Sequence, residues 1–128
     1  MLVLDASVVV PDCAAGRGFD YLADSDLVAP SVMWAETRST LHEAAWRKEI
    51  SVETARQAHE RLLASEIRRM DAPGVEVWEL ADELGWAKTY DAEYVALARV
   101  LGCRVVTLDA RLRRGADHLG FVVSPAEL

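Results

Sequence analysis

The chain has 128 residues, so one domain spanning 1–128 is the expectation, long enough to bury a core without disulfides or structural metals. Hydrophobic residues make up 52% of it, which excludes a disordered polar chain. With 14 Lys+Arg against 21 Asp+Glu the formal charge is −7, so the basic excess of a general nucleic-acid binder is missing. An RNA site in such a chain has to supply its own positive charge, through a divalent cation or a local basic patch.

Short β-branched runs alternate with helical stretches, which predicts an α/β fold with a central parallel sheet flanked by helices. Leu2-Val3-Leu4 suits a central strand buried on both faces, and Asp5 falls at its C-terminal end. With no basic flank and an acid in its middle, this N-terminus reads as a strand rather than a signal peptide. Ser7 to Val10 predicts a short helix stopped by Pro11, and Gly18 to Ala23 another short helix. Leu27-Val28-Ala29 is a second strand, closed by Pro30. Ser31 is placed to cap a long helix through about Lys48, and Ser51 the next one, to about Ser65. Ile67 to Met70 is a weaker strand, and Asp71-Ala72-Pro73-Gly74 a turn. Helices follow over Val75 to Leu84, with Gly85 at the end, and over Asp91 to Leu101, with Gly102 past it. Cys103 to Leu108 is a clear strand that Asp109 ends. Arg111 to His118 predicts a short helix, and Phe121 to Val123 a last, edge strand. No apolar run approaches the length of a membrane span. Cys13 and Cys103 lie far apart without CxxC spacing, so no disulfide framework is expected and a reducing cytoplasm is the natural compartment.

Asp5 and Asp109 occupy equivalent places, just past two hydrophobic strands, at the edge where open parallel sheets bind ligands. Taken singly, either could simply cap the following helix. Asp91 opens a helix, where its charge suits the positive end of the dipole. Glu36 lies inside an amphipathic helix among Val32, Met33, Ser39 and Thr40, and either points inward from that mostly small or apolar face or is solvated. Two carboxylates within ~4 Å would repel by about 4 kcal/mol at an effective dielectric of about 20. A cluster of four therefore calls for protons or a cation, and a hard, hydrated ion such as Mg²⁺ or Mn²⁺ fits all-oxygen ligands. Ser7 and Thr107, beside Asp5 and Asp109, could bond a carboxylate, a water or a phosphate oxygen, or could simply pack.

The pieces LVLDASVVV, APSVMWAETRSTL, TYDAEYVALARVLGCRVVTLDARL and GFVV, in that order, carry a resemblance to the PIN-domain family. Within it, the chain resembles the VapC toxins of bacterial and archaeal toxin–antitoxin pairs over essentially its whole length. The resemblance implies a PIN fold and an acidic quartet of Asp5, Glu36, Asp91 and Asp109 that binds the metal. It implies Mg²⁺-dependent endonucleolytic hydrolysis of RNA, a homodimer, and neutralisation by an antitoxin. Asp5, Asp91 and Asp109 would hold one or two ions, with Glu36 binding metal or orienting the attacking water. Family members often carry Asn shortly after the helix Glu; Ser39, with a single donor, takes that place here.

Arg111, Arg113 and Arg114 follow Asp109, Arg38 follows Glu36, and Lys88 precedes Asp91. Arg111 and Arg38 are the foremost candidates to guide RNA, against the plainer role of a solvated helix face. His42, His59 and His118 show no ligand spacing. The four tryptophans are expected mostly in the core, with some lining a dimer interface or an antitoxin groove. A small Mg²⁺-dependent phosphatase would want a second Asp two residues after Asp5, where Ser7 stands. The alternative that remains is a non-catalytic PIN-like module that holds RNA or protein without cutting.

Overall fold

The computed structural model describes residues 1–128. Five short strands form one wholly parallel sheet in the order β3-β2-β1-β4-β5: β1 Leu2–Leu4, β2 Leu27–Ala29, β3 Arg68–Arg69, β4 Arg104–Val106 and β5 Val122–Val123. Six helices link them: α1 Ala6–Ala15, α2 Val32–Trp46, α3 Val52–Ala64, α4 Gly74–Leu84, α5 Tyr90–Leu101 and α6 Ala110–Ala116. The first half of the chain builds outward from β1 through β2 to β3. The second half returns to the other side of β1 with β4 and β5. The strand order therefore reverses between β1 and β4, the crevice where open parallel sheets place their ligands.

β1 is buried through its length and gives way at once to Asp5, whereas β3, at the far edge of the sheet, is exposed. Leu2, Val3, Leu4, Val28, Val105 and Val106 are buried, and α5 closes over the sheet with Tyr94, Val95, Leu97 and Ala98. α1, α2 and α3 pack against one another. No helix is long and apolar enough to cross a membrane.

Four local expectations are corrected. α1 runs through Pro11 to Ala15 and ends at Gly16, whose φ of 69° is the left-handed cap that glycine tolerates. Pro11 removes one N–H from the helix ladder, but the buried face of Val8, Val9, Asp12 and Cys13 spans both sides of it, and that packing offsets the lost bond. Ser31 does not cap α2: its backbone is already helical (φ −52°, ψ −34°), so its hydroxyl turns away and donates to Asp71 Oδ2 at 2.6 Å. The Ser31 N–H donates to Asp71 Oδ1 at 2.8 Å, so an acid from the turn after β3 ties down the start of α2. That helix ends at Trp46 rather than Lys48, which takes a left-handed φ of 61°. Of the tryptophans only Trp34 is buried and Trp86 half-buried, while Trp46 and Trp78 are 82% and 67% exposed, so the core holds fewer than the sequence suggested. Ser51 caps α3 as expected, accepting from the Thr54 N–H at 3.0 Å.

Candidate active site

Asp5 leaves β1 and Asp109 closes the loop after β4, on adjacent central strands tied by the Asp5 N–H donating to the Val106 carbonyl at 3.1 Å. Asp5 holds the N-cap position of α1, but its side chain caps nothing. Its Oδ2 accepts instead from Ser7 Oγ at 2.6 Å and Thr107 Oγ1 at 2.7 Å. Each hydroxyl also receives a backbone donor, Leu108 N–H on Ser7 at 2.9 Å and Asp109 N–H on Thr107 at 3.0 Å. Two small hydroxyl residues thus fasten the loops after β1 and β4 to one buried carboxylate. Asp109 does act as a helix cap, its Oδ1 accepting from the N–H of Arg111 at 2.8 Å and of Leu112 at 3.4 Å. Asp91 is the second residue of α5, one place inside the helix start. Glu36 sits one turn into α2, and its Oε1 is buried without a hydrogen-bond partner.

The four acids share one electrostatic environment. Burial, followed by the charges of Asp5 and Asp91, pushes Glu36 from 4.5 up to about 7. Burial raises Asp91, helped by Asp109 and Asp5 and opposed by Arg111. Burial raises Asp5 as well, against the bonds from Ser7 and Thr107, with the Asp109 charge adding to it. These mutual effects require that residues 5, 36, 91 and 109 lie close together. As the side chains stand, no three acidic, histidine or cysteine groups converge to a cation-holding set. Asp5 and Asp109 each commit one oxygen to the bonds above and keep the other free of them.

A cleft of about 650 Å³ opens beside the acids. Glu36 and Asp91 line it with Ser39, Lys88 and Arg111. Arg38 does not line it: its Nε donates to His59 Nε2 at 3.0 Å, in a separate groove between α2 and α3. Arg113 pairs with Asp117 and Glu127, away from the cleft.

Sequence reasoning missed Tyr94. Its ring is fully buried in α5, and its hydroxyl is the other buried polar atom without a partner. Burial pushes that hydroxyl's pKa far up, and the charges of Glu36 and Asp5 add to the effect. The signal was present in the spacing: Tyr94 lies three residues after Asp91, on the same helix face, in a run otherwise of Ala, Val and Leu. Trp86 and Tyr90, which also line the cleft, were missed too.

The PIN domain family profile matches residues 2–117. A VapC ribonuclease of Mycobacterium bovis and ribonuclease VapC9 of Mycobacterium tuberculosis are each 31% identical to this chain over 115 residues, 88% of either length. Among solved structures, PAE2754 from Pyrobaculum aerophilum superposes with a TM-score of 0.77 at 22% identity, over 98% of this chain and 84% of that one. FitAcB from Neisseria gonorrhoeae gives 0.64 at 21% identity, over the full length of both chains. At those identities the structural likeness speaks to the fold.

Proposed function

The chain belongs to the PIN-domain family and to its VapC branch, and from that premise we propose that it is a divalent-cation-dependent endoribonuclease, the toxin of a toxin–antitoxin pair. One observation carries the reading: carboxylates from four separate elements gather near the point where the strand order reverses, and burial together with the neighbouring acids' charges raises the pKa of Asp5, Glu36 and Asp91. Protein folding alone gives no reason to gather them. The donor set suits Mg²⁺ or Mn²⁺, being all oxygen, with the orphaned Glu36 Oε1 as an uncommitted ligand.

Asp5, Asp91 and Asp109 would hold the cation, and Glu36 would bind it or orient the attacking water. When bound, the cation supplies a lowered pKa for that water and stabilises charge on the phosphate oxygens. Ser7 and Thr107 keep the Asp5 carboxylate fixed, so its position does not have to be organised during the reaction. Arg111 and Lys88 offer the positive charge that an overall acidic protein needs to draw in phosphate. Water attacks phosphorus as the bond to the ribose 3′ oxygen breaks, leaving 5′-phosphate and 3′-hydroxyl ends. A cognate antitoxin and a second copy of the chain complete the proposed assembly.

Purified protein incubated with total RNA should cut it in Mg²⁺, with those end groups, and not in EDTA. Cleavage undiminished by EDTA would end the metal-dependent reading. RNA that binds but stays intact in both Mg²⁺ and Mn²⁺ would instead favour a PIN-like binding module.

A further inference from the structure

The cleft holds more than its acids. The α4–α5 connection, Gly85 to Thr89, and the first turn of α5 bring Trp86, Lys88 and Tyr90 to its lining, which Arg111 shares. Tyr90 directly precedes Asp91 yet is 61% exposed. The core does not use it, since the inward face of α5 is filled by Ala92, Tyr94, Val95 and their neighbours. Trp86 is held differently. A Cβ on Gly115 would stand 2.7 Å from the indole Nε1 and 2.8 Å from Cζ2. Gly115 has no positive φ, so glycine is needed there for space: α6 is cut away to seat the indole. A seated aromatic and an exposed one thus line the same cleft as Lys88, Arg111, Glu36 and Asp91.

We propose that Tyr90, in the cleft that Trp86 also lines, forms a stacking subsite for an unpaired base of the RNA. This rests on the endoribonuclease reading. An exposed aromatic face accepts any base because every base has a π-face, and only an unstacked base can offer it. Lys88 and Arg111 hold the backbone on either side, so phosphate gives the charge-dependent affinity and Tyr90 the base-dependent part.

The test uses Asp5→Asn as a background that binds without cutting, with three fluorescent probes: a short single-stranded RNA, the same sugar-phosphate length without bases, and a duplex. Tyr90→Ala in that background should weaken binding of the single strand by roughly 5- to 150-fold. Tyr90→Phe should restore it. The base-free probe and the duplex should bind weakly and show no dependence on Tyr90. Equal affinity of Tyr90→Ala and its parent for the single strand, or an equal loss on the base-free probe, would overturn the subsite. The two readings fail separately. Mg²⁺-dependent cleavage with Tyr90→Ala binding normally sinks the subsite alone, whereas Tyr90-dependent binding by a wild-type protein that never cuts sinks the nuclease alone.

Discussion

Glu36→Gln should make the metal-free protein more stable at pH 8 and change little at pH 4. An isolated glutamate titrates near 4.5, and in the folded chain burial, Asp5 and Asp91 push Glu36 up to about 7. Below 4.5 the folded and unfolded chains both hold the proton, so the residue contributes nothing. Between 4.5 and 7 the unfolded chain releases it and the folded chain keeps it, so stability falls as pH rises. Above 7 the whole penalty is present. At about 1.4 kcal/mol per tenfold change in proton affinity, that interval corresponds to roughly 3 kcal/mol. Glu36 is partly open to solvent, and screening reduces the figure to about 1–2 kcal/mol. Glutamine keeps the shape without the charge, so the variant should melt roughly 4–8 °C higher at pH 8 in EDTA. The gap should close toward pH 4. Asp5 and Asp91 are also raised, but they tilt both proteins alike. Thermal melts of the pair across pH 4 to 8 measure the effect. A variant equal to or less stable than wild type at pH 8 would refute a charged cluster around Glu36.

Three further substitutions probe the same centre. Tyr94→Phe removes a buried hydroxyl that stands beside Glu36 without a well-formed hydrogen bond, so the metal-free melting temperature should not fall; a drop of several degrees would mean that the hydroxyl is bonded to Glu36. Thr107→Val takes one donor from Asp5 and strands the Asp109 N–H, which should cost about 1–3 kcal/mol in chemical denaturation; an unchanged midpoint would remove Thr107 from the scaffold. Gly115→Ala drives a methyl into the Trp86 indole and should cost about 1–3 kcal/mol, with a shift in tryptophan fluorescence; a neutral result would mean that the indole is loosely seated.

Much of the architecture could be read from the chain because burial and hydrophobic pattern coincide. Leu2–Leu4 is a strand that ends directly at Asp5, whereas the second central strand, Arg104–Val106, is shorter than the Cys103 to Leu108 run and stops before Thr107, leaving Asp109 to cap the next helix. Gly85 and Gly102 stop their helices with φ of 69° and 66°. What stayed hidden depended on contacts between distant residues. Ser31 had the right identity for a cap, but Asp71, forty residues away, claimed its hydroxyl. Pro11 had the right identity for a stop, but a buried face on both sides carried the helix past it. In the site, strand-end position pointed to Asp5 and Asp109. Ser7 and Thr107 were open between bonding and packing, and the shared bond to Asp5 Oδ2 decides for bonding. Arg38 was two residues from Glu36 in sequence, yet helical geometry turns it toward His59. Tyr94 was hidden because a tyrosine in a buried run reads as core, and only its orphaned hydroxyl beside Glu36 marks it out.

The most direct measurement is a Mn²⁺ titration of the wild type and of Asp5→Asn, Glu36→Gln, Asp91→Asn and Asp109→Asn, followed by calorimetry or by the signal of the free ion. If the four carboxylates form one cation site, the wild type binds saturably, and each aspartate variant loses binding while keeping its circular dichroism. Glu36→Gln should bind more weakly. Wild-type affinity in all four folded variants would contradict the shared site.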